Sequence, residues 1–374
     1  MRRPNRRSLI FPATVSTQNQ EREVLGAQAG LAGAVNTELG GELGEIEEIR
    51  ARGYWEQVWR RFRRDKVAIG GGLFIILLFI IAFAGAPLAA HWLGHGPNDV
   101  FTTQALSKST QLPVGPFTHI KSAPGGLECI QGLPCKKTVL ILGADSQLGR
   151  DEFLRLLYGA QTSLEVALGA TVLAMVIGIL MGAIAGYYGG IVDVLISRLT
   201  EIVMAFPILL FIVALASTVG PRLDDVTFGI FGRGVLTLVF VIGLFTWYYP
   251  ARIIRAQILS LREKEFVEAA RMVGAGDWRI IRSHLLPHLV APIIVYSTLI
   301  VAQNVLLEAG LSFLGIGIPL PTASWGNLLS SAPDYYLTQP WLMLWPGLAV
   351  LLATLAFNLL GDGLRDAFDP RAAA

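Results

Sequence analysis

The sequence predicts an all-α integral membrane protein with six transmembrane helices. Only 16% of its 374 residues are charged and 53% are hydrophobic, whereas soluble globular domains carry about 25% charged residues. The charges lie between long apolar runs, and about 20 helical residues cross a hydrocarbon core of about 30 Å. No run shows the strict alternation of a barrel strand, which favours helices. The six predicted spans are 67–90, 166–192, 202–220, 234–250, 289–307 and 341–360.

The distribution of basic residues predicts the orientation. If the N-terminus is cytoplasmic, 22 of the 30 Lys and Arg residues lie on the cytoplasmic side of the six spans. This asymmetry predicts that both termini are cytoplasmic. No apolar segment precedes Val67, so we expect no signal peptide and assign the insertion signal to the first transmembrane helix.

Two different segments precede the first span. Residues 1–44 are polar without a sustained period, which predicts a flexible cytoplasmic tail. Residues 45–66 are rich in arginine and place aromatic residues and a valine on one helical face. This pattern predicts an amphipathic helix in contact with membrane lipid. The alternative is a solvated helix that packs on another subunit.

Residues 91–155 form a predicted extracytoplasmic loop, and residues 156–371 form the predicted transmembrane core. The loop contains the two cysteines of the chain, Cys129 and Cys135. Because this side of the membrane is oxidising, a disulfide between them is expected, with free thiols as the alternative. A metal site is less well supported, since His119 is the nearest imidazole and no ligand set is evident.

The charged segment 259–287 is much longer than a turn between two spans requires. Its pattern predicts two short helices broken at Gly274 and Gly276, with Asp277 as a cap and Pro287 at the end of the second helix. Small, apolar and charged residues on the first helix are typical of a helix that binds in a groove of another protein. The spacing alone fits equally well an amphipathic loop without a partner.

This segment resembles the EAA loop of ABC-importer permeases. It contains Glu-Ala-Ala, then a glycine after three residues, then Leu-Pro thirteen residues after that glycine. In that family, a short coupling helix inserts into a cleft of the ATPase subunit. His284, in place of the common isoleucine, is similar to the peptide-permease branch. The residues assigned to ATPase coupling are Phe266, Glu268, Ala269, Ala270, Arg271, Gly274, Leu286 and Pro287.

Other stretches resemble the C-type subunit of dipeptide and oligopeptide permeases, so that the likeness covers roughly residues 50–371. They are Leu148–Asp151 with the following LRLLYGAQTSL, then 193–207, 310–327 and the ending FNLLGDGLRDAFDPR. Two positions depart from the branch: Ala144 replaces a threonine near Asp145, and Glu201 replaces a commoner aspartate.

The resemblance implies a subunit of a peptide importer in the bacterial cytoplasmic (inner) membrane. The implied partners are a homologous permease subunit, two ATP-binding-cassette ATPase subunits and an extracytoplasmic peptide-binding protein. Related importers carry nickel chelates or glutathione instead, and these substrates remain alternatives. A secondary transporter, an intramembrane hydrolase and a membrane scaffold are the competing classes. A secondary transporter would need a second repeat and intramembrane ion ligands, and a hydrolase would need a catalytic Ser, His or Asp set inside the apolar runs; neither is visible. A scaffold would not explain segment 259–287.

No cofactor site is expected in this chain. The phosphate-binding pattern G-x-x-x-x-G-K-[ST] is absent, so that ATP and Mg must bind to the partner ATPase subunits. The five histidines never occur at H-E-x-x-H spacing, and no catalytic or metal-binding set is visible. We therefore expect a transport subunit that is not itself an enzyme, with no nucleic-acid partner.

Two polar residues near the end of the fifth span are candidate pore-lining residues. Asn304 and Glu308 lie one helical turn apart. A carboxylate facing lipid costs about 2.5–3.5 kcal/mol at the bilayer centre, so Glu308 should face the bundle or water. It either contacts a peptide ammonium or packs against a polar group of a neighbouring helix, and packing is favoured. The G-x-x-x-G ladder at Gly178, Gly182 and Gly186 predicts close helix packing, either within the chain or against a partner.

Overall fold

The structure, a computed structural model, describes residues 54–123, 127–128, 135–207, 209–214, 218 and 234–369. The chain divides into two compact units, Met1–Gln57 and Val58–Ala374. The helices are α1 (Tyr54–Phe62), α2 (Lys66–Leu93), α3 (Glu152–Tyr188), α4 (Gly190–Ala205), α5 (Val235–Thr246), α6 (Tyr248–Leu261), α7 (Glu265–Met272), α8 (Asp277–Phe313), α9 (Trp325–Ser331) and α10 (Trp341–Phe368).

Four of these helices, α2, α3, α8 and α10, are long and apolar enough to cross a membrane. A fifth span results if α5 and α6 are counted together, because they are separated only by Trp247 and bent by 41°. Within the predicted third span, 202–220, the end of α4 and residues 209–214 are helical, while several other positions lie outside the described residues. Six spans therefore remain a prediction.

Aspartate side chains fix the starts of two spans. Asp65 accepts hydrogen bonds from the amides of Val67 and Ala68, at 2.9 and 3.1 Å, and so caps α2. Asp151 caps α3 in the same way. Helix α3 thus begins four residues before the predicted core boundary at 156. Its 37 residues give a length of about 55 Å at 1.5 Å per residue.

The glycine ladder packs α3 against α6 within the chain. A Cβ on Gly182 would lie 2.5 Å from the carbonyl oxygen of Ala251, and one on Gly178 would lie 2.6 Å from the Pro250 ring. Gly186 faces Arg255 and Ile258 in the same way. The ladder therefore serves internal packing, which was one of the two predicted uses.

The segment between α2 and α3 adds β structure to a fold that was predicted to be all-α. Strands β1 (Thr118–Ala123), β2 (Leu127–Glu128) and β3 (Lys136–Leu140) form an antiparallel sheet of order β2-β1-β3. The register of β1 and β3 runs from Thr118↔Leu140 to Ser122↔Lys136. A small core of its own supports the sheet, composed of Phe101, Ala105, Ile120, Leu140 and Ala144. The strands are too short to stand out in the sequence.

Buried charges connect the segment between α2 and α3 to the start of α3. The Asp145 carboxylate lies 2.8 Å from both the Arg150 and the Arg155 guanidinium, and all three side chains are almost completely buried. The imidazole Nε2 of His95 lies 2.9 Å from the Asp151 carboxylate. Removing one partner of a buried pair leaves an uncompensated charge, which is strongly destabilising. These contacts therefore hold the segment firmly on α3.

The predicted interfacial helix 45–66 is described from residue 54 onward as α1. The side chains of Tyr54, Trp55 and Trp59 are more than half exposed, whereas Val58 is buried. The Arg61 guanidinium donates to the carbonyl oxygen of Asp369, 2.6 Å away, just after α10. Contact of the exposed aromatic residues with lipid stays a prediction. The predicted tail 1–44 lies outside the described residues.

Candidate functional site

Segment 259–287 is a pair of helices packed on the ends of α3 and α6. Val267 of α7 is fully buried, and the side chain of Phe266 is half-buried with its ring 4.9 Å from that of His288. The buried cluster beneath the pair consists of Ala183, Tyr187, Ile254, Ile258, Val267, Ile280, Ile281, Leu285 and Leu289. The two helices are therefore part of the folded core.

The link between α7 and α8 is a Schellman turn. Gly274 has a φ of +84°, a left-handed conformation that glycine adopts without a Cβ penalty. The amide of Gly274 donates to the Arg271 carbonyl at 2.9 Å, and the amide of Ala275 donates to the Ala270 carbonyl at 3.0 Å. Gly274 is thus required by the backbone conformation and not by close packing, since no atom lies within 4 Å of the position that a Cβ would occupy.

Two sequence expectations about this segment were wrong. Asp277 does not cap α8, because Gly276 occupies the N-cap position; instead its carboxylate accepts a hydrogen bond from Tyr187. Pro287 does not end the second helix either. Its missing amide is accommodated by a π turn, Ile281–Leu285, followed by a 3-10 turn, Leu286–Leu289, and the helix continues to Phe313.

Large apolar side chains at the end of the pair face away from the rest of the chain. Met272 is 82% exposed, Val273 is 89% exposed and Trp278 is 58% exposed. We refer to these three residues as the exposed tip. Glu268, Ala269 and Arg271 are also exposed, Ala270 and Leu286 are half-buried, and Pro287 is exposed. Phe266, one of the residues assigned to ATPase coupling, and its neighbour Val267 therefore face the interior of the chain, away from the exposed tip.

Sequence reasoning did not select Val273 or Trp278. Both flank the glycines in an otherwise polar segment. An apolar residue next to a tight turn is the signal that could have identified them. A residue at the tip of a helix pair has few neighbours to bury it. An apolar side chain there is consequently a candidate for contact with another protein.

Tyr187, near the end of α3, contacts both helices of the pair from the inner side. Its hydroxyl donates to Asp277 Oδ1 at 2.8 Å, and the Arg271 guanidinium lies 5.5 Å from the centre of its ring. Arg262 donates to the carbonyl oxygens of Gly186 and Tyr187, at 3.1 and 3.4 Å. A cation that caps the end of a helix in this way interacts favourably with the helix dipole.

An ion pair connects the start of α4 to α6. Arg255 donates to both oxygens of the Asp193 carboxylate, with a separation of 2.6 Å between Arg255 Nη2 and Asp193 Oδ2. These hydrogen bonds lower the pKa of Asp193. A local pair of Arg198 and Glu201 also forms within α4, at 2.7 Å, but both side chains are largely exposed. The half-buried link between α4 and α6 therefore depends on Asp193.

The candidate pore-lining residues lie inside the helix bundle. Asn304 is 1% exposed and donates to Thr171 Oγ1 on α3 at 2.9 Å. Glu308 is completely buried, and the Ser312 hydroxyl donates to its Oε1 at 2.7 Å. Asn304 thus contacts a neighbouring helix, whereas the contact between Glu308 and Ser312 lies within α8. In this conformation neither residue reaches an open surface of the chain, and the pore-lining role stays a prediction.

The predicted disulfide has one partner outside the described residues. Cys135 immediately precedes β3, whereas Cys129 lies in the range 129–134, which is not described. The bridge therefore stays a prediction.

Comparisons with known proteins identify the family. Residues 178–374 match the family described as binding-protein-dependent transport system inner membrane component. Residues 53–111 match the N-terminal TM domain of oligopeptide transport permease C. The first match covers more than half of the chain.

Curated relatives extend the likeness over most of the sequence. A putative peptide transport system permease protein of Brucella suis is 37% identical over 83% of this chain and 90% of its own length. The glutathione transport system permease protein GsiD of Pectobacterium atrosepticum is 34% identical over 87% of this chain and 94% of its own length. An inward-facing structure of the MetNI methionine ABC transporter aligns with 58% of this chain and 97% of its own chain, at 18% identity and a TM-score of 0.43. The chain thus belongs to the binding-protein-dependent transport permeases, the multi-pass inner-membrane components of ABC transporters.

Proposed function

We propose that this chain is one of two membrane-spanning subunits of an ATP-driven importer of peptides, and that its exposed tip binds a separate ATPase subunit. The relative in Brucella suis carries the name of a peptide transport permease, which supports the substrate class. The absence of a phosphate-binding loop from the sequence supports ATP and Mg binding by the partner.

The exposed tip is the observation that carries this proposal. Met272, the last residue of α7, and Val273, which follows it, are more than four-fifths exposed, whereas Val267 on the other side of α7 is completely buried. Apolar surface gains about 25 cal/mol per Å² when it leaves water, so a complementary groove would bind this tip. Trp278 adds an aromatic side chain of the kind that often contributes most to binding energy at interfaces.

The proposed assembly follows the family resemblance. A homologous permease subunit would complete the pathway, two ATPase subunits would bind on the cytoplasmic side, and an extracytoplasmic binding protein would deliver the peptide. If the chain has six spans with both termini in the cytoplasm, the exposed tip lies on the ATPase side. To move such an assembly from 1:99 to 99:1 between two states requires about 5.5 kcal/mol of differential binding, which ATP supplies through the docking contacts.

Glutathione is the second candidate substrate. The relative in Pectobacterium atrosepticum is named for glutathione transport, and its identity to this chain is nearly as high. Glutathione is itself a small peptide, so that both substrates fit one chemical class. Uptake measured with a panel of dipeptides, oligopeptides and glutathione decides between them.

Site-specific crosslinking tests the docking. Val273→Cys, in a chain whose Cys129 and Cys135 are replaced by serine, is expected to crosslink to a co-expressed ATPase subunit. Phe117→Cys is the matched control, because Phe117 is 72% exposed on the extracytoplasmic segment. It should react only with a membrane-impermeant thiol reagent added from outside, and it should give no ATPase crosslink.

The same pair of variants tests the orientation. Labelling of Val273→Cys from outside intact cells would place the exposed tip on the wrong side of the membrane. Failure of the wild-type chain to co-purify with any ATPase subunit would contradict the importer assignment as well.

A further inference from the structure

The side chain of Tyr187 joins three helices at one point. It belongs to the last turn of α3 and is only 6% exposed. Its ring lies beneath the Arg271 guanidinium at the end of α7, and its hydroxyl donates to the Asp277 carboxylate at the start of α8. One side chain of α3 therefore contacts both halves of the helix pair.

The turn between α7 and α8 has little lateral support of its own. A Cβ added at Gly274 or Gly276 would meet no atom within 4 Å. Among the described residues, Arg271 and Asp277 form no ion pair with one another, although their charges are opposite. Tyr187 lies between them and interacts with both. The relative position of the two helix ends consequently depends on this tyrosine and on the buried cluster.

Helix α3 connects this point to the other side of the membrane without a break. It runs as one α-helix from Glu152 to Tyr188, about 55 Å at helical rise. At its far end, Arg155 contacts the Asp145 carboxylate and donates to the Pro321 carbonyl at 3.1 Å. Both ends of α3 are thus held by buried polar contacts, and the glycine ladder binds α6 closely alongside it. A displacement at one end therefore moves the other end.

We propose that Tyr187 is a positioning residue that transmits the movement of the docking helices to α3 and, through α3, to the extracytoplasmic segment. The proposal rests on the proposed function, because it requires an ATPase subunit that moves α7. The hydrogen bond to Asp277 links Tyr187 to α8, and the contact of its ring with Arg271 links it to α7. Tyr187 does not itself belong to the exposed tip and is not expected to contact the ATPase.

The test uses the complete importer, reconstituted with its partner permease, ATPase subunits and binding protein, and measures peptide taken up per ATP hydrolysed. Tyr187→Phe removes the hydroxyl and keeps the ring. We expect a ratio about tenfold lower than that of the wild type, because the variant loses a hydrogen bond to a charged group. Tyr188→Phe is the matched control: Tyr188 is the next residue, its side chain is 53% exposed, and its ratio should equal that of the wild type.

Variants of Asp277 show whether the hydrogen bond itself is responsible. Asp277→Ala should lower the ratio as much as Tyr187→Phe, and the double variant should lower it no further, because both remove the same contact. Asp277→Asn keeps an acceptor oxygen and should recover most of the coupling lost in Asp277→Ala. A purely structural role would instead lower the thermal stability and the amount of assembled complex, with an unchanged ratio.

The outcomes separate this proposal from the proposed function. If the wild-type chain retains its ATPase subunits and Tyr187→Phe transports with an unchanged ratio, Tyr187 does not transmit the movement, and the docking assignment stands. If the losses from Tyr187→Phe and Asp277→Ala multiply, the two residues act independently and the proposal is wrong. If no ATPase subunit binds the wild type, both proposals are wrong.

Discussion

The amide of Ala275 donates a hydrogen bond to the carbonyl oxygen of Ala270, 3.0 Å away, across the turn that joins α7 to α8. This bond closes only if the intervening Gly274 is left-handed, as its φ of +84° shows. The two alanines also pack on the buried cluster. One glycine therefore fixes the direction in which the exposed tip points.

Gly274→Val should uncouple transport and leave the protein inserted in the membrane. A residue with a Cβ costs about 1–2 kcal/mol in the left-handed region, and a β-branched side chain is especially unfavourable there. No steric clash contributes, because the Cβ position is open. The measurement is peptide uptake normalised to the amount of inserted protein.

Gly274→Asn is the control for this prediction, since asparagine adopts the left-handed conformation at little cost. It should retain most of the uptake. Equal losses for valine and asparagine would show that the turn conformation is not the cause.

Glu308→Gln should be tolerated, whereas Glu308→Ala should destabilise the protein by about 1–3 kcal/mol. The alanine leaves the buried Ser312 hydroxyl without its acceptor, and the glutamine preserves an acceptor oxygen. Thermal unfolding in detergent measures both effects. A glutamine variant of normal stability that fails to transport peptide would support the pathway role and contradict the packing role.

Gly182→Ala should destabilise the α3–α6 contact by about 1–3 kcal/mol, the usual cost of overpacking. Its new methyl group would lie 2.5 Å from the Ala251 carbonyl oxygen, which belongs to the backbone and cannot move freely. Gly70→Ala in α2 is the matched control, because nothing lies within 4 Å of that position. The control should unfold at the wild-type temperature or slightly above it, and a similar drop in both variants would point to a general effect of helix glycines.

The Asp193–Arg255 pair should stabilise the protein at neutral pH and lose this effect in acid. Asp193 lies in the first turn of α4, ahead of the predicted span 202–220, and Arg255 holds its pKa below the ordinary value. A carboxylate with a lowered pKa contributes its full stabilisation above the pKa of the unfolded chain, about 3.9 for Asp, and loses it as the pH falls through the folded value.

The measurement is the difference in unfolding temperature between the wild type and Asp193→Asn as a function of pH. The difference should be constant from pH 8 to about pH 5 and should shrink below about pH 4. A difference that already vanishes between pH 7 and pH 5 would show that another group, with a higher pKa, is responsible.

Cys129 and Cys135 should react with a thiol reagent only after reduction. The predicted extracytoplasmic location favours a disulfide, and the five residues between them, with Gly132 and Pro134, permit a tight closed turn. The assay is labelling of whole cells with and without a reductant, with a double serine variant as the blank. Incorporation of label before reduction would contradict the bridge.

The sequence by itself located two of the long apolar helices. The apolar runs at 67–90 and 341–360 correspond closely to α2 and α10, because about 20 uncharged residues have no stable environment other than lipid or a large core. The EAA segment could also be identified from the sequence, because Gly274 is required by a backbone conformation that involves only its immediate neighbours.

The tertiary structure decided which face of each helix is buried. Phe266 and Met272 are both apolar residues of α7, yet one packs on the core and the other is exposed, because the position of α3 beneath the helix selects the inner face. The glycine ladder could have served a partner, and only the approach of Ala251 shows that it serves α6. The contacts of Tyr187 with Arg271 and Asp277 join residues 84 to 90 positions apart in sequence, and local patterns contain no information about contacts of that range.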